Sequence, residues 1–125
     1  MNEIDNRIKQ IEIENFIWII YFFIIGLCLY ANYYEKKYFC TNDISSKEKY
    51  RKLNIIVFVI AVIIYIYFFI DNYSDYKNLK PIDSIKKKNL TELSLIGTTL
   101  VVISGIIFLY IAIVDKDIDV EIAFN

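Results

Sequence analysis

The sequence predicts an all-α integral membrane protein with three transmembrane helices. Three uncharged runs, residues 16–34, 53–70 and 93–114, interrupt a chain in which 23% of the residues are charged. The runs contain 19, 18 and 22 residues. At ~1.5 Å per helical residue, the runs cover about 27 to 33 Å, close to the thickness of a hydrocarbon core. Because lipid offers the backbone no hydrogen bonds, these segments should be helices, which pair their own N–H and C=O groups.

The 125 residues favour one membrane domain. Residues 1–15 predict an amphipathic helix, since Ile4, Ile8 and Ile11 share one helical face. This helix either extends the first transmembrane helix, lies at the headgroup boundary or docks on a partner. Acidic residues precede a long uncharged run here, unlike in a secretory signal, so we expect the first transmembrane helix to be retained.

The loop of residues 35–52 is basic, and we expect it to contact anionic lipid headgroups. A Lys or Arg near the surface of an anionic bilayer contributes about 1 kcal/mol to membrane attraction. Six basic residues carry this prediction: Lys36, Lys37, Lys47, Lys49, Arg51 and Lys52.

The same loop contains signals for helix ends. Ser45-x-x-Glu48 matches a capping box, which predicts a second helix that begins near Ser46. If the first helix continues through Tyr38, the two helices form an antiparallel hairpin beyond the membrane. Its turn would then lie near residues 40–44.

The loop of residues 71–92 contains Pro81, the one proline of the chain. Proline cannot donate a backbone hydrogen bond and restricts the residue before it, so the second helix should end by Lys80. Asp83, Ser84 and Thr91 are all candidate caps for the third helix, and the sequence does not separate them.

The third uncharged run differs from the other two because one helical face is small and weakly polar. Small residues allow helix backbones to approach closely, and hydroxyl groups can form hydrogen bonds across the contact. We therefore predict that this face packs on protein, either within the chain or between chains. The predicted helix-packing residues are Ser94, Gly97, Thr98, Val101, Ser104, Gly105 and Ala112.

Residues 115–125 form an acidic tail. Asp117, Asp119 and Glu121 alternate with apolar residues, a period of two that is typical of a strand. The tail is interpreted either as a strand that adds to the edge of a partner's sheet or as a disordered, solvated segment.

The orientation signals are balanced, because either orientation places seven Lys and Arg residues on each side of the membrane. The residues that flank the first helix break the tie, since acidic residues precede it and Lys36 and Lys37 follow it. We therefore expect a multi-pass protein of a bacterial plasma membrane, with its N-terminus outside and its C-terminus in the cytoplasm. Dual topology, in which copies insert both ways, is the alternative.

Composition argues against several functions. The chain has no histidine, two cysteines and no ionisable Asp, Glu, Lys or Arg within the three runs. A metal site, a proton relay and a catalytic nucleophile with its base therefore lack the residues they need. We expect no enzyme activity and no cofactor. Nucleic acid is a poor fit for the first loop, because Glu35, Asp43 and Glu48 interrupt its basic residues.

The leading hypothesis is that the chain is a small non-catalytic membrane protein that acts through helix packing. It would be a homo-oligomer or an accessory, immunity or regulatory subunit of a membrane complex. In its layout of three spans, short length and charged tail, the chain also resembles class I phage holins, which implies a pore-forming alternative. A dual-topology antiparallel homodimeric transporter is the third hypothesis.

Overall fold

The computed structural model describes residues 2–122 and confirms the all-helical prediction. Its three helices are α1, Glu3–Thr41, α2, Ile44–Lys77, and α3, Ile85–Val114. They contain 39, 34 and 30 residues, and each is long and apolar enough to cross a membrane. At ~1.5 Å per residue, α1 is about 58 Å long and extends well beyond a hydrocarbon core of about 30 Å.

The amphipathic segment is the first part of α1, so among the predicted roles it extends the first transmembrane helix. The Asn2 side chain caps α1 by accepting a hydrogen bond from the backbone N–H of Asp5 at 2.8 Å. The guanidinium of Arg7 lies 3.3 Å from the carboxylate of Glu14, two turns further along. At the other end Asn42 adopts a left-handed conformation, with φ of 53°. Asparagine tolerates this conformation, which ends the helix.

The chain divides into two compact units between Val57 and Phe58, inside α2. The first unit contains a hairpin of α1 and residues 44–57, here called the first hairpin. The Lys47 ammonium lies 5.4 Å from the ring centroid of Tyr38, and the Lys49 ammonium lies 5.1 Å from that of Tyr34. Later residues of α2 thus meet earlier residues of α1, and the helices are antiparallel, with their turn inside the predicted range of 40–44.

The predicted cap of α2 at Ser45 is wrong, because α2 already begins at Ile44 and Ser45 lies inside it. The cap is Asp43. Its carboxylate accepts hydrogen bonds from the Ser45 N–H at 3.2 Å and from the Ser46 hydroxyl at 2.8 Å. An aspartate carboxylate directly before a helix satisfies N–H groups that the helix itself leaves unpaired.

The second unit contains a hairpin of residues 58–77 of α2 with α3, here called the second hairpin. α2 ends at Lys77, before Pro81 as predicted. Of the three candidate caps of α3, Ser84 is the one observed, and its hydroxyl accepts a hydrogen bond from the Lys87 N–H at 3.1 Å. Asp83 instead stabilises the turn by accepting from the Lys80 N–H at 2.7 Å.

The tail forms a turn rather than a strand over its described residues, 115–122. The carboxylate of Asp115 accepts hydrogen bonds from the backbone N–H groups of Asp119 and Val120, at 3.0 and 2.9 Å. Ile118 between them has a φ of 56°. Residues 123–125 of the predicted acidic tail lie outside the described residues.

Candidate functional site

Gly105 lies where the two helices of the second hairpin approach each other closely. A Cβ atom added to Gly105 would lie 2.9 Å from Cδ2 of Tyr65 and 3.2 Å from Cγ2 of Val62. Both distances are shorter than ordinary van der Waals contact, so the absent side chain is what lets α3 approach this close. Three residues further along α3, the ring of Phe108 lies 6.0 Å, centroid to centroid, from that of Phe58.

A polar contact joins the same two helices near the turn. The hydroxyl of Ser94 donates a hydrogen bond to Oδ1 of Asn72, and the Asn72 amide donates to the backbone carbonyl of Phe68 at 2.8 Å. The pairing of Asn72 with Ser94, and of Phe58 with Phe108, defines an antiparallel register. Interhelical hydrogen bonds of this kind contribute about 0.6 kcal/mol on average in membrane proteins.

Two of the three threonines of α3, Thr98 and Thr99, bond within their own helix. The Thr98 hydroxyl donates to the backbone carbonyls of Ser94 and Leu95, at 3.1 and 3.0 Å. The Thr99 hydroxyl donates to the carbonyl of Leu95 at 2.7 Å. A helix offers carbonyls to its own hydroxyls at the i−3 and i−4 positions, which removes the need for a partner across the interface.

The seven predicted helix-packing residues thus fall into three groups. Gly105 and Ala112 are buried, and Thr98 and Ser104 are half-buried. The other three are exposed, namely Ser94, Gly97 and Val101. A Cβ atom added to Gly97 would meet nothing within 4 Å. Part of the small face therefore packs inside the second hairpin, and part of it is open.

Asn72, Tyr65 and Val62 supply the α2 side of this contact, and none of the three was predicted from the sequence. Asn72 lies just beyond the second uncharged run and Ser94 just inside the third. Two polar residues at the same end of consecutive spans were therefore an available signal for that pair. Tyr65 and Val62 carry no such signal, because the whole second run consists of similar apolar residues.

The six predicted headgroup residues all lie at the end of the first hairpin. Lys36, Lys37, Lys49 and Lys52 are exposed, while Lys47 and Arg51 are half-buried. The ammonium of Lys37 lies 3.9 Å from the carboxylate of Asp43. Lys47 and Lys49 lie over tyrosine rings, as described above. The basic residues are therefore anchored to the first hairpin at three places while most remain accessible.

One buried polar group in the first hairpin has no partner. Asn54 is 5% exposed, and its Oδ1 forms no hydrogen bond. The amide oxygen is therefore desolvated without compensation.

Within residues 2–122, no group of three or more His, Cys, Asp or Glu side chains is placed to hold a metal ion. Cys28 and Cys40 are both free thiols. Comparison of the chain with protein-family models, with curated proteins and with solved structures finds no match.

Proposed function

We propose that this chain is a small non-catalytic membrane protein that acts by packing the open part of α3 against another membrane helix. The observation that carries the proposal is the surroundings of Gly97. Glycine lowers the stability of a helix by about 1 kcal/mol relative to alanine. A glycine within a transmembrane helix therefore suggests a close contact that a larger residue would prevent. At Gly105 that contact is with Tyr65, whereas a Cβ atom added at Gly97 would meet none of the described residues within 4 Å.

The partner helix would meet α3 beside Gly97 and Val101. Val101 is 44% exposed and lies about one helical turn from Gly97. Small residues such as glycine at an interface allow membrane helices to approach closely. The partner is either a second copy of this chain or a subunit of another protein.

Photo-cross-linking in native membranes tests the proposal, with a benzophenone–maleimide reagent attached to one introduced cysteine, because this reagent can bond to a neighbouring chain that has no cysteine. In a chain with Cys28→Ala and Cys40→Ser, we would introduce Val101→Cys, with Ile103→Cys as the matched control. Ile103 is 49% exposed, nearly the same as Val101, but about 200° away around the helix. The proposal expects cross-linking at position 101 and much less at position 103.

The size of the product distinguishes the two kinds of partner. Self-association gives a species of twice 14.9 kDa, and another subunit gives a different mass. Adding Gly97→Ile to the Val101→Cys chain should abolish the product, because the longer side chain separates the backbones. Equal cross-linking at positions 101 and 103, or none at either, would contradict the proposal.

A further inference from the structure

Three side chains of the first hairpin form a compact group, here called the tyrosine–lysine cluster: Tyr30, Tyr34 and Lys49. The hydroxyl oxygens of Tyr30 and Tyr34 are 2.8 Å apart and share a hydrogen bond. The Lys49 ammonium lies 5.1 Å from the ring centroid of Tyr34. Tyr30 is 52% exposed, and Lys49 is also exposed, so the cluster is open to its surroundings.

The cluster lies at the level expected for lipid phosphates. The second uncharged run begins at Leu53, which marks the edge of the hydrocarbon core on α2. Tyr34 contacts Lys49 outside that edge, and Tyr30 lies one helical turn nearer the core. Lys49 is four residues before Leu53, or about 6 Å further from the core along a helix. The headgroup layer on each side of a bilayer is about 5–8 Å thick, which includes this height.

The cluster also has the chemistry to hold a phosphate. One of the two tyrosine hydroxyl groups donates its hydrogen to the other. The second hydroxyl hydrogen therefore remains able to donate a hydrogen bond to a ligand. An ammonium over an aromatic ring is attracted to the ring face but keeps its positive charge. The tyrosine–lysine cluster therefore presents one cation and one hydroxyl donor side by side.

The net positive charge of the surrounding loop also favours binding of an anionic group. Residues 35–52 contain six basic and three acidic residues, whereas the chain as a whole has a net charge of -1. This excess of positive charge at one end of the first hairpin attracts an anionic surface. We propose that the tyrosine–lysine cluster binds the phosphate of an anionic phospholipid. This proposal is independent of the α3 contact proposed above.

Lipid binding to the full chain in a mild detergent tests the proposal. Phosphatidylglycerol and phosphatidylcholine would be titrated separately, and bound lipids counted by native mass spectrometry. We expect preferential binding of phosphatidylglycerol. Lys49→Gln should weaken that binding about fivefold, the effect of one cation near an anionic surface. The double variant Tyr30→Phe with Tyr34→Phe keeps both rings and should weaken it about tenfold.

Lys77→Gln is the matched control, because the Lys77 ammonium also lies over a tyrosine ring, 5.4 Å from the centroid of Tyr73. This variant should bind phosphatidylglycerol as the unmodified chain does. Equal losses in Lys77→Gln and Lys49→Gln would show diffuse charge attraction and overturn the proposal. So would unchanged binding in both the Lys49 variant and the double tyrosine variant.

A competition experiment separates lipid from soluble phosphate. Glycerol phosphate has the same phosphate without acyl chains, and at equal concentration it should not displace phosphatidylglycerol. Displacement would assign the cluster to a soluble anion and overturn the lipid assignment. Circular dichroism of each variant, compared with the unmodified chain, shows whether the helices are retained.

Discussion

The three glycines of the chain have different surroundings, although all three lie in uncharged runs. Gly105 is packed against Tyr65 and Val62, whereas Gly26 and Gly97 have nothing within 4 Å of an added Cβ atom. The same residue type therefore has opposite consequences for stability. At a packed glycine an added methyl group clashes, and at an open one it improves the helix.

Gly105→Ala should lower the stability of the second hairpin, despite the better helix propensity of alanine. The new methyl group would lie 2.9 Å from a ring carbon of Tyr65, and relief of such overpacking typically costs about 1–3 kcal/mol. Gly97→Ala is the matched control and should leave stability unchanged or raise it by up to about 1 kcal/mol. Unfolding in detergent measures both, and equal effects would contradict the close contact.

Asn54→Leu should raise the stability of the first hairpin. Asn54 is 5% exposed with an unpartnered Oδ1, and an unsatisfied buried polar atom costs about 1–3 kcal/mol. Leucine has the same branching and the same number of side-chain heavy atoms, and it has no polar atom to desolvate. The thermal midpoint in detergent should increase. A decrease would mean that the amide has a partner in the membrane, and Asn54→Asp would then be still less stable.

At the scale of elements, both turns that connect helices depend on an aspartate. The hydrogen bond from the Ser46 hydroxyl lowers the pKa of Asp43, and the Ser45 N–H and Lys37 lower it further. The hydrogen bond from the Lys80 N–H lowers the pKa of Asp83, with a further contribution from Lys87. Both carboxylates lie outside the uncharged runs, so they titrate in contact with water.

Acidification should therefore weaken both turns. A carboxylate whose pKa is lower in the folded state stabilises that state above its unfolded pKa, about 3.9 for aspartate. This contribution is lost as the pH falls through the folded pKa. The double variant Asp43→Asn with Asp83→Asn keeps an oxygen acceptor at each turn but cannot titrate. Its stability should fall less between about pH 5 and pH 2 than that of the unmodified chain.

Asp75→Asn controls for the loss of a carboxylate, since Asp75 is an exposed residue of α2. It should keep the pH dependence of the unmodified chain. If it flattens the profile as much as the double variant does, the two turns are not the origin of the effect.

The ends of the helices were predicted from local sequence signals, some correctly and some not. The prediction from Pro81 that α2 ends by Lys80 is confirmed. It succeeded because proline restricts the backbone conformation of the residue directly before it, which is a local effect. Ser45 fitted a capping box and still lies inside α2, because Asp43 offers a carboxylate two residues earlier. When several capping residues are close together, the turn geometry decides among them, and that geometry depends on how the preceding helix ends at Asn42.

At the scale of the whole molecule, the balanced distribution of basic residues makes orientation a sensitive property. The acidic residues before the first uncharged run and the basic residues after it favour an outside N-terminus. Reporters fused to either terminus should place the N-terminus outside and the C-terminus in the cytoplasm. Signals from both sides for one terminus would instead support dual topology.

The sequence by itself determined that the chain forms three long apolar helices. Uncharged runs of this length are suited to lipid whatever their neighbours are, and lipid requires each run to satisfy its own backbone as a helix. The tertiary structure decided which side chains meet. A helical wheel places Gly97 and Gly105 on related faces, but only the axial register of α2 against α3 brings Tyr65 to Gly105 and leaves Gly97 open.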